Sequence, residues 1–418
     1  MSRPKILVAT SLLLAAGLAT CLACSQDPAP APAPAPAPPP EPASPFAKEL
    51  IKEWSDSHIT WYVEAGVLGD KQVILLSEAR FDKGPDGKPL PKPATMQVLT
   101  KTDAGWDSSE LNDADGAVFH KAIIRDGRVL TISGAKPGAE DAKGRLKSWT
   151  MGDDGSWSAD ELWAQAWGGK IQRIRDLEIG DVDGDGADEY VMATHDEGVI
   201  AVYELDGTVT ELDAKADTFV HEIEIGDIDG DGTPEFFATP SDRNKADASQ
   251  HGEIVMYRWD GETYVRSIVD AGDGTHAKEI LAADLDGDGT TELFGVMEAS
   301  LGADKSIVKP VEIRQYLLQE DGSFTTATVA TIQDRQTRFL VAADFDGDGR
   351  QELVAAAMKT GLYLYDSEDG ATWTTTHFEK KSGGFEHAAN IGDIDGDGKP
   401  ELYVVNDDGG SLARYTWN

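Results

Sequence analysis

The stretch Gly180–Thr194 reads GDVDGDGADEYVMAT, and four further stretches repeat its pattern in one register. They start on Asp181, Asp227, Asp284, Asp344 and Asp393, 46 to 60 residues apart. Each has aspartate at positions 1, 3 and 5, glycine at 4 and 6, and glutamate at 9. Self-similarity at this period marks an array of like supersecondary units, each unable to bury its apolar face alone.

The segments around each motif are short, β-branched and aromatic, which is strand chemistry. One runs into the motif (DLEIG, EIEIG, EILAA, FLVAA, AANIG), one leaves it and a third follows, such as VIAVYEL or EIVMYRW. Asp206-Gly207, Asp260-Gly261, Asp321-Gly322 and Asp369-Gly370 then predict two-residue hairpin turns into a fourth strand. DSEDGATW, Asp366 to Trp373, is close to a sialidase-type Asp-box but reads better as one of these turns. Each unit is thus a four-stranded antiparallel meander, the size of a propeller blade. Two copies without aspartate clusters precede the five, with turns at Asp103 and at Asp154-Gly155. The expectation is an all-β, seven-bladed β-propeller of four-stranded antiparallel blades spanning 46–418. Its two degenerate blades lie at about 58–166 and the five motif blades at about 174–418. The last copy stops after its third strand, so Phe46 to Ser57 should supply the missing one, though FAKELIKEW also reads as a short helix.

Carboxylates at positions 1, 3 and 5 converge on one point, and glycine permits the reversal this needs. A helical EF-hand loop would require Glu at position 12, where this chain has Met192, Ala238, Gly295, Ala355 and Val404. The loops therefore read as calcium-binding β-hairpins, about five Ca²⁺ sites in all. Their side-chain ligands are Asp181, Asp183, Asp185 and Glu189; Asp227, Asp229, Asp231 and Glu235; and Asp284, Asp286, Asp288 and Glu292. Asp344, Asp346, Asp348 and Glu352, then Asp393, Asp395, Asp397 and Glu401, complete the set. Position 7 adds a backbone carbonyl from Ala187, Thr233, Thr290, Arg350 and Lys399.

From about Ile174 to Asn418 the chain resembles the FG-GAP/VCBS repeat family, the propellers that include the integrin α-subunit head. The resemblance implies the same fold and calcium in the hairpins. Position 9 is Glu where that family commonly has Asp, and the Phe-Gly…Gly-Ala-Pro signature is missing at its usual place. The chain thus falls with the bacterial FG-GAP-like branch rather than with integrin-type adhesion.

The N-terminal stretch reads as an export signal. Arg3 and Lys5 precede an apolar run from Ile6 to Leu18, and small residues lead to Cys21 and Cys24. Cys-Leu-Ala-Cys resembles a bacterial lipoprotein processing box, which makes 1–24 the signal peptide and Cys24 the lipidated residue. Residues 25–45 are a Pro/Ala-rich spacer whose alternate prolines impose an extended polyproline conformation. A lipid-anchored envelope protein follows, at the outer membrane, the cell surface or in the periplasm. No cysteine lies beyond Cys24, so the exported domain uses no disulfides. The formal net charge of −38 opposes nucleic acid as a partner, and membrane contact is expected through the anchor alone.

Six residues before each motif stands a basic residue: Arg175, His221, Lys278, Arg338 and His387. Strand alignment adds His58 and His120 from the leading blades. In a propeller these positions ring the funnel opposite the calcium hairpins. The ring suits an acidic sugar, a phosphate or a carboxylate-bearing partner, and its four histidines also admit a transition metal. The bland alternative is a set of surface ion pairs with neighbours such as Asp176, Glu222 or Glu279, each worth little. No nucleophile elbow, zinc-protease motif, phosphate loop or dinucleotide fingerprint is present. The expected function is a non-catalytic monomer that binds a protein or a glycan at the envelope. The alternatives are a lectin, or a polysaccharide lyase or hydrolase working in the basic funnel.

Overall fold

The computed structural model of the chain describes residues 43–418 except 56–58, 84–86, 88, 136–141, 168–171, 196, 243–250, 273 and 386. The signal segment, Cys24 and the spacer to residue 42 lie outside the described residues, as does His58. Every described element longer than a bridge is a strand, and seven four-stranded antiparallel sheets account for nearly all of them. The innermost strands are Ile59–Leu68, Gly116–Arg125, Ile174–Gly180, Thr218–Gly226, Ala277–Ala283, Thr337–Ala343 and Ala389–Gly392. Each touches the next, and the last returns to the first, so the ring is closed. This is the seven-bladed propeller that the repeat spacing implies.

Closure depends on strand pairing between distant parts of the chain. Phe46–Glu53 is a strand, not a helix, and pairs with Ser411–Trp417 from Phe46 opposite Trp417 to Glu53 opposite Ser411. The blade is completed by Glu401–Asn406 and Ala389–Gly392. The segment pairs as an edge strand anchored by one residue: Phe46 is buried against the aromatic cluster, while most of the other side chains face solvent. Phe46 is 4% exposed. Its ring centre lies 5.3 Å from Phe345, 4.8 Å from Phe378 and 5.2 Å from Trp417. The pairing also covers the edge that Ser411–Trp417 would otherwise present to other chains.

The core lies between blades, where the faces of neighbouring sheets meet. One cluster joins Val354 and Leu364 to Leu402 and Val404 across the last two blades. A tyrosine in the third strand (Tyr203, Tyr257, Tyr316, Tyr365, Tyr415) recurs in all five motif blades and is buried in each.

The Asp-Gly turns correct the expectation in detail. Only the glycine adopts positive φ, 95° at Gly207 and 79° at Gly322. Glu204 donates its N–H to Thr208 O while Gly207 N–H donates to Glu204 O. At Gly207 and Gly322 that is a three-residue loop with a glycine bulge rather than a two-residue turn, while at Gly261 the closing bond runs from Asp260 N–H to Thr263 O. The aspartate stays in ordinary backbone space because its carboxylate caps the loop, Asp206 Oδ1 accepting from Thr208 N–H at 2.8 Å. Asp366–Trp373 is likewise a strand connection, with Asp369 Oδ1 accepting from Ala371 and Thr372.

Two short hairpins were not anticipated. Phe81–Lys83 with Pro89–Pro91, and Ser300–Leu301 with Ile307–Lys309, both extend connections between second and third strands.

Phe46→Ala should cost about 3–5 kcal/mol, the usual range for a buried aromatic, measured by urea denaturation. Removing residues up to 53 should give concentration-dependent light scattering, because the last blade then exposes an unpaired edge.

Candidate functional site

Each acidic hairpin is built from its own backbone. Asp181 accepts from Gly184 N–H through Oδ1 at 2.8 Å and from Gly186 N–H through Oδ2 at 3.0 Å. The same two bonds recur at Asp227, Asp284, Asp344 and Asp393. They require a backbone reversal at φ 75° and 93° for Gly184 and Gly186, a region that costs side-chain-bearing residues free energy. The position-5 carboxylate accepts from the N–H of Ala187, Thr233, Thr290, Arg350 or Lys399 at 2.7–2.9 Å. Position 2 is apolar for a structural reason. Val182, Ile228, Leu285, Phe345 and Ile394 are buried and pin the loop to the core. Their N–H groups donate to Oε2 of Glu189, Glu235, Glu292, Glu352 and Glu401.

These bonds leave carboxylate oxygens facing one another. In the first and third loops, Asp181, Asp183, Asp185 and Glu189, and Asp284, Asp286, Asp288 and Glu292, bring ligand atoms within 4.8 Å of each other. Asp227, Asp229 and Glu235; Asp344, Asp346 and Asp348; and Asp393, Asp395 and Glu401 form three-membered groups. Glu189 Oε1 is buried without a hydrogen-bond partner. Burial, then the nearby Asp183, Glu204 and Asp181, pushes the Glu189 carboxyl up to about 7. Glu292 and Glu352 are also pushed up to about 7, by burial and by the aspartates of their loops. An all-oxygen, acid-rich cluster with an orphaned buried oxygen fits a hard cation such as calcium, which would be held by these side chains.

The five loops are not equivalent, which the repeat spacing concealed. Arg258 places Nη2 2.6 Å from Asp229 and Nε 2.8 Å from Glu235 Oε1. Arg414 lies 2.9 Å from Glu401 Oε1 and 3.4 Å from Asp395, and also 3.0 Å from Glu49 on the closing strand. A guanidinium thus already balances part of the charge in the second and fifth loops, and Arg350 pairs with Asp348 in the fourth. In the first and third loops no arginine pairs with the four converging acids among the described residues; Arg125 reaches the first loop only at Asp188, outside the cluster. The third strand carried the signal: Arg258 follows its tyrosine and Arg414 precedes it.

At the opposite end of the inner strands, the backbone bulges once per blade. Register shifts bracket Trp61, Val118 and His120, Arg175, His221 with Glu222, Lys278 and Arg338. His387 holds the matching place in the last blade at φ 40°. A bulge turns an extra side chain toward the axis, which is why His120, Arg175, His221, Lys278, Arg338 and His387 converge. In the leading blade the bulged position belongs to Trp61, a residue that strand alignment missed.

The funnel differs from an open basic ring in two respects. All six basic residues are less than a tenth exposed, and they are engaged with protein groups. Arg175 Nη1 meets His120 Nε2 at 2.5 Å, Lys278 lies 3.8 Å from Glu298 and Arg338 stacks 5.4 Å from the Phe385 ring. His387 donates from Nδ1 to Ala357 O at 2.7 Å and accepts from Ser382 Oγ at 2.7 Å. Burial also holds His120 and His221 well below the ordinary histidine range and His387 at about 4. At neutral pH the charge of the ring therefore comes from arginine and lysine. The space left on the axis is about 30 Å³, room for about two waters at 10–15 Å³ each and not for a sugar ring.

Of the acids named in the alternative, Asp176 is drawn inward rather than left on the surface. Asp176 pairs with Lys121 at 2.9 Å, and both are buried. Lys121, one residue past the bulge, was not singled out from the sequence.

A family model described as FG-GAP-like repeat matches residues 181–238, 227–295 and 344–404. Each match begins on the first aspartate of one hairpin and ends in the strand after the next, so the three together span all five loops. A search of curated proteins finds no match to the chain.

Chelation should lower Tm and calcium restore it, each loop at ten times its Kd contributing about 1.4 kcal/mol. In calorimetry, Asp181→Ala should remove about that share of the calcium response. Asp227→Ala should remove less, and Arg258→Gln should tighten calcium binding at the second loop. Equal responses at both loops would contradict this. His387 gives a separate acid signature. Its ring binds a proton near pH 6.5 when unfolded and at about 4 when folded, so its contribution is complete above pH 6.5 and is lost as pH falls toward 4. The stability gap between wild type and His387→Gln should therefore shrink by on the order of 3 kcal/mol across that window, followed by urea denaturation at each pH.

Proposed function

This chain is an FG-GAP-like repeat β-propeller, and we propose that it is a non-catalytic, calcium-stabilised binding module at the cell envelope. It engages a protein or glycan partner through the face opposite the acidic hairpins. The observation that carries this reading is the asymmetry between the two ends of the blades. At one end all five acidic loops are short and repeat the same backbone hydrogen bonds. The other end has the two added hairpins and the segment before the last inner strand, and they differ from blade to blade. Loops that vary on a repeated scaffold are where recognition residues are placed.

That face also offers apolar anchors. Val308 is 72% exposed in the Ile307–Lys309 strand of one hairpin, Phe81 41% on the other and Phe385 42% beside Arg338. Large exposed apolar residues next to charge suit a partner that supplies matching apolar and acidic groups. The narrow axis supports recognition on the rim rather than inside the funnel. The Cys-Leu-Ala-Cys stretch ending at Cys24 and the proline spacer after it support a lipid anchor at the N-terminus.

The test is capture of partners from native envelope by wild type and by Val308→Asp/Phe385→Asp, with and without calcium. The double variant should bind at least about tenfold more weakly, the loss of one modest anchor, with an unchanged Tm. Equal capture by both proteins would refute this face as the binding surface. Mass spectrometry of the membrane-extracted protein should show an acylated Cys24.

A further inference from the structure

One position outside the repeated motif faces each acidic hairpin, and the strand register identifies it. In every motif blade the residue after the position-9 glutamate pairs with the third-strand tyrosine: Tyr190 with Tyr203, Phe236 with Tyr257, Leu293 with Tyr316, Leu353 with Tyr365 and Leu402 with Tyr415. One step further along these ladders, Glu204 stands opposite Glu189, Arg258 opposite Glu235, Leu317 opposite Glu292, Asp366 opposite Glu352 and Thr416 opposite Glu401. Residues opposed in this way have Cβ atoms about 4.5–5.5 Å apart and interact directly. Arg258 shows that the position reaches the acid, since its Nε lies 2.8 Å from Glu235 Oε1.

Only the first blade sets a carboxylate here against a complete four-acid cluster. Asp366 faces Glu352 in the fourth, but Glu352 stands outside the converging group of that loop and Arg350 pairs with Asp348. Glu204 is half-buried. Its carboxyl lies beside that of Glu189 and among those of Asp183, Asp185 and Asp206, and no ammonium or guanidinium among the described residues balances it. Glu189 is fully buried, and its Oε1 has no hydrogen-bond partner. Tyr264, the first residue of the outermost strand of the next blade, brings a hydroxyl to the same place. That oxygen is also buried without a partner, and Glu189, Asp183, Glu204 and Asp181 are the charges around it. Like charges directly opposite each other destabilise a strand pair, and an unpaired buried oxygen costs free energy as well.

We propose that Glu204 serves the first calcium site as a fifth carboxylate from outside the motif and makes that site the tightest of the five. Calcium takes about six to eight oxygens, and the motif offers four carboxylates and the Ala187 carbonyl. Glu204 supplies a further donor, directly or through a bound water. Ligand charge and rigidity set calcium affinity, and here both exceed those of the other loops. The third loop has four acids but Leu317 in this place, and the second has Arg258. Tyr264 covers the cluster from the neighbouring blade, so the ion would sit against two blades at once. The inference rests on the calcium reading of the hairpins and not on the binding face.

Calcium titration by calorimetry compares wild type, Glu204→Gln, Asp181→Ala and the Glu204→Gln/Asp181→Ala double variant. Glu204→Gln should weaken the tightest binding event about tenfold, the effect of one ligand charge fewer, and leave the weaker events unchanged. In the Asp181→Ala background the same substitution should change nothing further, because both residues act on one ion. In chelator, Glu204→Gln should melt above wild type, since the carboxylate opposite Glu189 is gone. An equal tightest Kd in wild type and Glu204→Gln would overturn the assignment and leave the hairpins as calcium sites. Wild type that takes up no calcium would overturn both, with protons neutralising the cluster instead. Should the double variant not fold, the Kd of Glu204→Gln alone decides.

Discussion

Like charges held close together are the constraint around which this molecule is arranged. Two carboxylates 4.8 Å apart repel by about 3 kcal/mol at the effective dielectric of a protein surface, and the first and third hairpins bring four into that range. The backbone answers first, because seven-residue loops turn their N–H groups inward onto the aspartates. Hydrogen bonds from amides spread the charge without neutralising it. What remains favours a cation, and the chain supplies one itself in the second, fourth and fifth loops through Arg258, Arg350 and Arg414.

Arg414 shows how this electrostatic problem reaches the topology. Its guanidinium joins Glu401 of the last hairpin to Glu49 of the closing strand. The fifth loop thus sits where the two ends of the ring meet, and a fixed protein charge there makes closure less dependent on an exchangeable ion. The ion pair is partly exposed and worth little alone; the aromatic contacts of Phe46 supply most of the holding force.

Strand number, blade number and the closing strand were legible because they follow from period-2 alternation and a repeat length, which single side chains scarcely alter. The acidic clusters were legible because their carboxylates lie within nine residues of chain, so local spacing fixes their geometry. The funnel was not. Whether Arg175 faces solvent or the axis depends on a one-residue bulge, and a bulge leaves no mark in an alternating pattern. The same shift put Trp61 where alignment placed His58. Burial then altered the chemistry of the residues that had been located: His120, His221 and His387 are basic by composition and neutral in place.

The hub explains why such residues occur there at all. Seven strand ends meeting at an axis cannot close without leaving space, and a wide apolar channel would either collapse or fill with poorly bonded water. Long polar side chains reach across that space and bond to one another, as Arg175 does to His120 and Lys121 to Asp176. A polar plug of this kind is selective about what joins it, since each unsatisfied group raises the cost of the arrangement. On the binding reading proposed above, recognition of a large partner would fall on outer loops that no neighbouring blade constrains, where Val308 and Phe385 can change at little cost to the ring.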